Sequence, residues 1–168
     1  FKPLQEIGAS RINGTTSRDR TNYSQTVPVG GLDRILWMES YRMVHLLGAI
    51  SKEKLDEQRD VVKNEKRQGE NKPGGKLYYH IYEGVYPKDH PYNHSTMGSM
   101  ENLDNASLTD VKAWFSKYYG PNNAVIVLSG DIDIEHEKVL TEKYCGISTD
   151  GRTHTQKKSR VPIRERKR

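Results

Sequence analysis

Residues 107–133 read SLTDVKAWFSKYYGPNNAVIVLSGDID, and the change of period inside this stretch decides the fold class. Val111, Trp114, Phe115 and Tyr118 recur at helical spacing after Ser107-Leu108-Thr109-Asp110, and Gly120-Pro121 stops the helix. Ala124 to Ser129 is then a short continuous apolar run between Asn122-Asn123 and Gly130-Asp131. That length and its β-branched content predict a buried strand. A helix from about Ile134 to Tyr144 follows.

Upstream, Phe1 to Gly8 reads as the end of a helix closed by a glycine able to take the left-handed conformation. Arg11 to Pro28 carries β-favouring Thr15, Thr16, Thr21, Tyr23, Thr26 and Val27 around the polar turn Ser17-Arg18-Asp19-Arg20, so it predicts a β-hairpin. Ile35, Leu36, Met38, Met43, Val44 and Leu47 mark a core helix from Leu32 to Leu47. Ser51 is a suitable N-cap for a second helix reaching about Gln68. Beyond Pro73-Gly74-Gly75 a third helix spans Lys76 to Tyr86, and residues Pro87 to Met97 form a loop rich in proline, histidine and asparagine. The order predicts an α+β fold with helices packed on one face of a mainly antiparallel sheet. The hairpin and one further strand are too little sheet to be independently stable, so further strands are expected from the loops or from sequence preceding Phe1.

The 168 residues suit one ordinary domain, read as residues 1–150, followed by a basic linker or tail at 151–168. Much of the formal net charge of +5 falls in that tail, where Lys157, Lys158, Arg160, Arg164, Arg166, Lys167 and Arg168 face only Glu165. The tail has no aromatic side chain for bases to stack on, which argues against a nucleic-acid arm. No apolar run is long enough for a membrane span. The single cysteine, Cys145, permits no internal disulfide and reads as a small buried hydrophobe.

Candidate chemistry is sparse. His136 between Glu135 and Glu137 reads as a solvated helix face, because adjacent helical residues point to different sides. His90 and His94 lie in one loop and are read as structural or surface residues, although two imidazoles there would have the chemistry to share a zinc. Gly74-Gly75 precedes no phosphate-loop lysine.

The segment Ile12-Asn13-Gly14-Thr15-Thr16-Ser17-Arg18-Asp19-Arg20-Thr21-Asn22-Tyr23 resembles the N-A-x-T-x-x-D-x-T-x-Y signature of the pitrilysin/insulinase zinc peptidases, with Gly14 where alanine is usual. Gln58 to Gln68 resembles the helix that carries that family's last zinc ligand. Tyr118 to Ala124 with Ser129-Gly130-Asp131 resembles its Y-x-P-N-N-A turn and G-D strand end, and His90-Pro91-Tyr92 followed by Gly98 also fits. The resemblance implies a truncated half of the pitrilysin/mitochondrial-processing-peptidase-like metallohydrolase fold, from the first, metal-bearing domain. It implies a parent endopeptidase that hydrolyses peptide bonds through a zinc-activated water.

By that resemblance Glu65 is the remaining zinc ligand, Asn13, Gly14 and Thr15 bind an extended peptide substrate, and Gln58 stands where a supporting acid is common. For Asn13 and Thr15, hydrogen bonding within their own hairpin is an equal alternative. No H-x-x-E-H string occurs in the chain, so the two zinc-binding histidines and the general-base glutamate are absent from it. The resemblance places them upstream of Phe1. The chain alone is therefore expected to be inactive and to bind no zinc, since one carboxylate does not make the three-ligand site that catalytic zinc needs. A missing companion domain, self-association through the surface it would cover, and a bacterial periplasmic location are further expectations from resemblance. The alternative is a non-catalytic, peptidase-like subunit serving as a peptide- or partner-binding scaffold.

Overall fold

A computed structural model describes residues 2–146 of the chain. Helix α1 (Lys2–Glu6) ends at Gly8, whose φ of 77° is the left-handed value that the sequence required there. Strands β1 (Ser10–Thr16) and β2 (Thr21–Thr26) form the antiparallel hairpin. Its turn is closed by the Ser17 amide donating to the Arg20 carbonyl at 2.7 Å. Thr16 pairs with Thr21, Thr15 with Asn22, Gly14 with Tyr23 and Asn13 with Ser24, but Ser10 pairs with Thr26. The register therefore slips by one residue: Arg11 and Ile12 together oppose Gln25. Arg11 has a φ of 48°, a conformation that costs a non-glycine residue roughly 1–2 kcal/mol.

Helices α2 (Leu32–Ala49), α3 (Lys52–Glu70), α4 (Leu77–Val85), α5 (Met100–Asn105), α6 (Leu108–Tyr118) and α7 (Ile134–Cys145) complete the order. The fold is helix-dominated α+β with a two-stranded antiparallel sheet among the described residues, as expected in class. These residues divide into two compact units, 2–51 with 108–146 and 52–107.

In the first unit the apolar stripe of α2 meets α7. Leu32, Ile35 and Leu36 are buried with Leu140, and Leu4, Ile7, Val27, Met38, Leu128, Ile132 and Tyr144 close around them. Asp133 caps α7 by accepting the His136 amide at 2.8 Å, and Asp33 accepts the Tyr144 hydroxyl at 2.9 Å. The opposite face of α2 carries a tilted aromatic row, Trp37, Tyr41 and His45, with Trp37 and Tyr41 exposed.

One expectation fails here. The buried strand predicted over 124–129 has no ladder partner among the described residues, and Val125 and Val127 are 89% and 80% exposed. An apolar run specifies an extended segment, but pairing requires a neighbouring strand, and the described hairpin is paired only within itself.

In the second unit, α3 and α4 are joined by Lys66. Its ammonium pairs with Glu70 at 2.8 Å, donates to the Tyr79 hydroxyl at 3.2 Å and sits 4.4 Å from that ring's centre. Arg59 ties α3 to α5: Nε donates to the Leu103 carbonyl at 2.8 Å, Nη2 to the Ala106 carbonyl at 2.6 Å, and Nη1 pairs with Asp56. Helix α5 was not predicted. Ser99 caps it by accepting the Asn102 amide at 3.0 Å. The predicted basic tail, 151–168, lies outside the described residues.

Candidate functional site

Strand β1 pairs with β2 on one side, and among the described residues its other edge has no strand. Asn13, Gly14 and Thr15 are all exposed on this strand. Asn13 also accepts the Gly14 amide through Oδ1 at 2.9 Å, so it does bond within its own hairpin. A Cβ built on Gly14 would meet the Asn22 carbonyl at 3.6 Å and the Tyr23 ring at 3.7 Å. Those are ordinary contacts, so alanine would also fit at this position.

Tyr23, directly across from Gly14, anchors the hairpin. Its hydroxyl lies 3.4 Å from that of Tyr119, and the Arg42 guanidinium sits 4.1 Å from its ring centre. Arg42 is held by Glu39 through Nε at 3.0 Å, and Gln25 donates to the same carboxylate at 3.2 Å. Burial and the Tyr119 hydrogen bond push the Tyr23 hydroxyl up to about 12. The polar turn thus hangs on a hydroxyl, cation and carboxylate chain reaching α2.

On α3 a helical step of about 100° puts Glu65 and Lys66 on different sides. Lys66 turns into the contact with α4, while Glu65 is exposed. Gln58, two turns earlier, lies on the same face as Glu65, and the 47% exposed Val61 lies between them. The spacing read from sequence therefore places Gln58 and Glu65 on one accessible stripe.

No three His, Cys, Asp or Glu side chains converge on a metal-sized site among the described residues. Glu65 has the chemistry of one zinc ligand and no more, so the described residues do not complete a catalytic zinc site. His90 is buried, stacked on Tyr86 at 4.9 Å and edge-on to Tyr92, with Nδ1 accepting the Tyr92 amide at 3.1 Å. Its Nε2 is buried without a hydrogen-bond partner among the described residues. Cys145 is half-buried, and burial pushes its thiol up, away from the thiolate form a nucleophile uses.

The solvated-face reading of Glu135, His136 and Glu137 needs correction. Glu135 and His136 are exposed, but Glu137 is only 6% exposed. Helical geometry separates these neighbours, and position 137 faces the same way as the core residue Leu140 one turn on.

Residues 105–168 match the model of the Peptidase M16 inactive domain. The chain is 31% identical to the zinc protease PqqE of Helicobacter pylori over 79% of its length and 29% of the relative's. In structure it resembles a protease from Helicobacter pylori, with a TM-score of 0.80 and 27% identity, over 96% of this chain and 37% of the other. It also shares the fold of the first half of the periplasmic protease PqqL from Escherichia coli, with a TM-score of 0.78 and 16% identity, over 97% of this chain and 35% of the other. Over residues 105–168 the chain is thus similar to the Peptidase M16 inactive domain. More particularly, it is similar to the PqqE zinc protease and spans less than a third of its length.

Proposed function

We propose that this chain is the substrate-facing part of an M16-type zinc endopeptidase, inactive alone, in which β1 pairs with an extended peptide and Glu65 supplies one zinc ligand. The observation that carries the reading is the likeness to a protease fold over 96% of the chain at 27% identity. The geometry is compatible with it. An edge strand with Asn13, Gly14 and Thr15 exposed offers main-chain hydrogen bonds to a peptide with little sequence demand. Glu65 shares its exposed stripe with Gln58, two turns away, at the position where the resemblance puts a supporting acid.

Zinc, once held, polarises a peptide carbonyl and lowers the pKa of its bound water. The two remaining ligands and the proton acceptor belong to segments other than the described one. The periplasmic description of PqqL favours an exported protein. The apolar side chains left exposed on α2 and at 124–128 favour a companion domain or self-association.

The test is expression of the full reading frame, with zinc measured by mass spectrometry after dialysis and hydrolysis followed on an unfolded protein substrate. We expect an encoded H-x-x-E-H, about one zinc per chain, and loss of both zinc and hydrolysis in Glu65→Gln. A frame without that motif, or a Glu65→Gln variant that keeps its zinc, would transfer the assignment to the scaffold alternative.

A further inference from the structure

The inward face of α3 carries charge where a helix in a small core ordinarily carries apolar side chains. Arg59, Lys63, Lys66 and Glu70 stand at i, i+4, i+7 and i+11, one stripe of the helix, and their side chains are 18%, 17%, 8% and 22% exposed. Arg59 bonds the carbonyls at the end of α5, Lys63 pairs with Asp104 of α5, and Lys66 pairs with Glu70 while donating to the Tyr79 hydroxyl of α4. Charge-assisted bonds are directional, so they define the rotation of α3 about its own axis more narrowly than apolar contact does. Lys66 fastens the C-terminal half of the helix. The turn beyond it is tight: a Cβ on Gly75 would stand 2.0 Å from the Gly69 carbonyl oxygen, so α4 follows at a separation that only glycine admits. Glu65, the neighbouring residue, lies about 100° round the helix, exposed on the stripe of Gln58 and Val61.

We infer that Lys66 is a positioning residue: by pinning α3 to α4 it aims the Glu65 carboxylate, and it contributes to metal binding only through that aim. The inference rests on the reading of Glu65 as a zinc ligand. The lever is long enough to matter. A roll of about 20° swings a side-chain tip that lies roughly 5–6 Å from the helix axis through about 2 Å. That is the length of a zinc–oxygen bond, about 2.0–2.2 Å. Electrostatics alone predicts the opposite sign, because a cation one residue from a ligand repels Zn²⁺ and removing its charge tightens binding. The two effects therefore separate in one measurement.

The experiment uses the protein of the full reading frame, with zinc affinity measured by competition against a chelating dye. Lys66→Met is expected to weaken zinc binding roughly tenfold, the lower end of what the loss of a ligand's supporting partner costs. In a Glu65→Gln background the same change should alter affinity by less than about twofold, because a residue that acts through the carboxylate has nothing left to aim. Tyr79→Phe keeps the ring and removes the hydroxyl that accepts from Lys66. It should lose about threefold, with the same dependence on Glu65, and it supplies the test if Lys66→Met fails to fold. Unchanged or tighter zinc in Lys66→Met and Tyr79→Phe, with zinc weakened in Glu65→Gln, overturns the positioning role and leaves the ligand assignment standing. So does an equal loss in both backgrounds, which marks a general effect on folding. Zinc unaffected by Glu65→Gln strikes the ligand assignment itself, and the positioning role with it.

Discussion

Replacing Arg59 by methionine keeps the aliphatic stem but removes the fork that holds the end of α5. The arginine satisfies the Leu103 and Ala106 carbonyls, which lie at or just past the last turn of a six-residue helix and have no partner further along it. With the Arg59 side chain only 18% exposed, solvent would not replace these bonds freely. Two hydrogen bonds from a charged donor, at about 1.5 kcal/mol each, amount to about 3 kcal/mol, or about two orders of magnitude in local opening. Amide hydrogen exchange read by NMR at Leu103 and Ala106, whose amides close the turn onto Ser99 and Asn102, is the assay. The expected result is a rise in exchange toward that of an unstructured peptide, with α7 amides as the unaffected control. Arg59→Lys should fall between, since a single ammonium does not reproduce the planar fork. Protection at both amides within twofold of the original in Arg59→Met would refute the reasoning.

Leu36→Ala, at a site 3% exposed in the centre of the α2 and α7 contact, should destabilise the first unit by about 2–5 kcal/mol in urea unfolding read by Trp37 and Trp114 fluorescence. A loss below about 1 kcal/mol would contradict the assigned core. Because the folded Tyr23 hydroxyl is pushed up to about 12 from an ordinary 10.0, its contribution to stability is fully present below pH 10 and is lost as pH rises to 12. Ring-labelled NMR titration should locate that midpoint, and Tyr119→Phe should move it down. A midpoint near 10 in the unmodified protein would remove the hydroxyl pair from the hairpin's anchorage.

Much of the architecture is legible wherever the signal is local. Gly8 announces its left-handed stop, the threonine and tyrosine run announces the hairpin around Ser17 to Arg20, and the apolar spacing of Leu32 to Leu47 announces α2. Helix α5 escaped because a helix this short shows no periodicity; Ser99, a cap residue, was its available signal. The segment 124–129 shows the other limit. Its composition specifies an extended chain, but partnership in a sheet depends on residues far away or in another strand. Site chemistry follows the same division. The stripe shared by Gln58 and Glu65 follows from helical spacing, whereas the burial of Glu137 depends on how α7 rolls against its neighbours, and the bonding of Arg59 to α5 depends on a contact distant in sequence.

The extra residue at Arg11 and Ile12 also separates two odd-even counts along β1. Side chains from Asn13 to Thr16 take their facing from the turn at Ser17 to Arg20, and the approach from α1 is counted separately on the far side of the slip. Lengthening or shortening the lead-in by one residue can thus be absorbed before the bulge, leaving the presented row of asparagine and threonine side chains in phase.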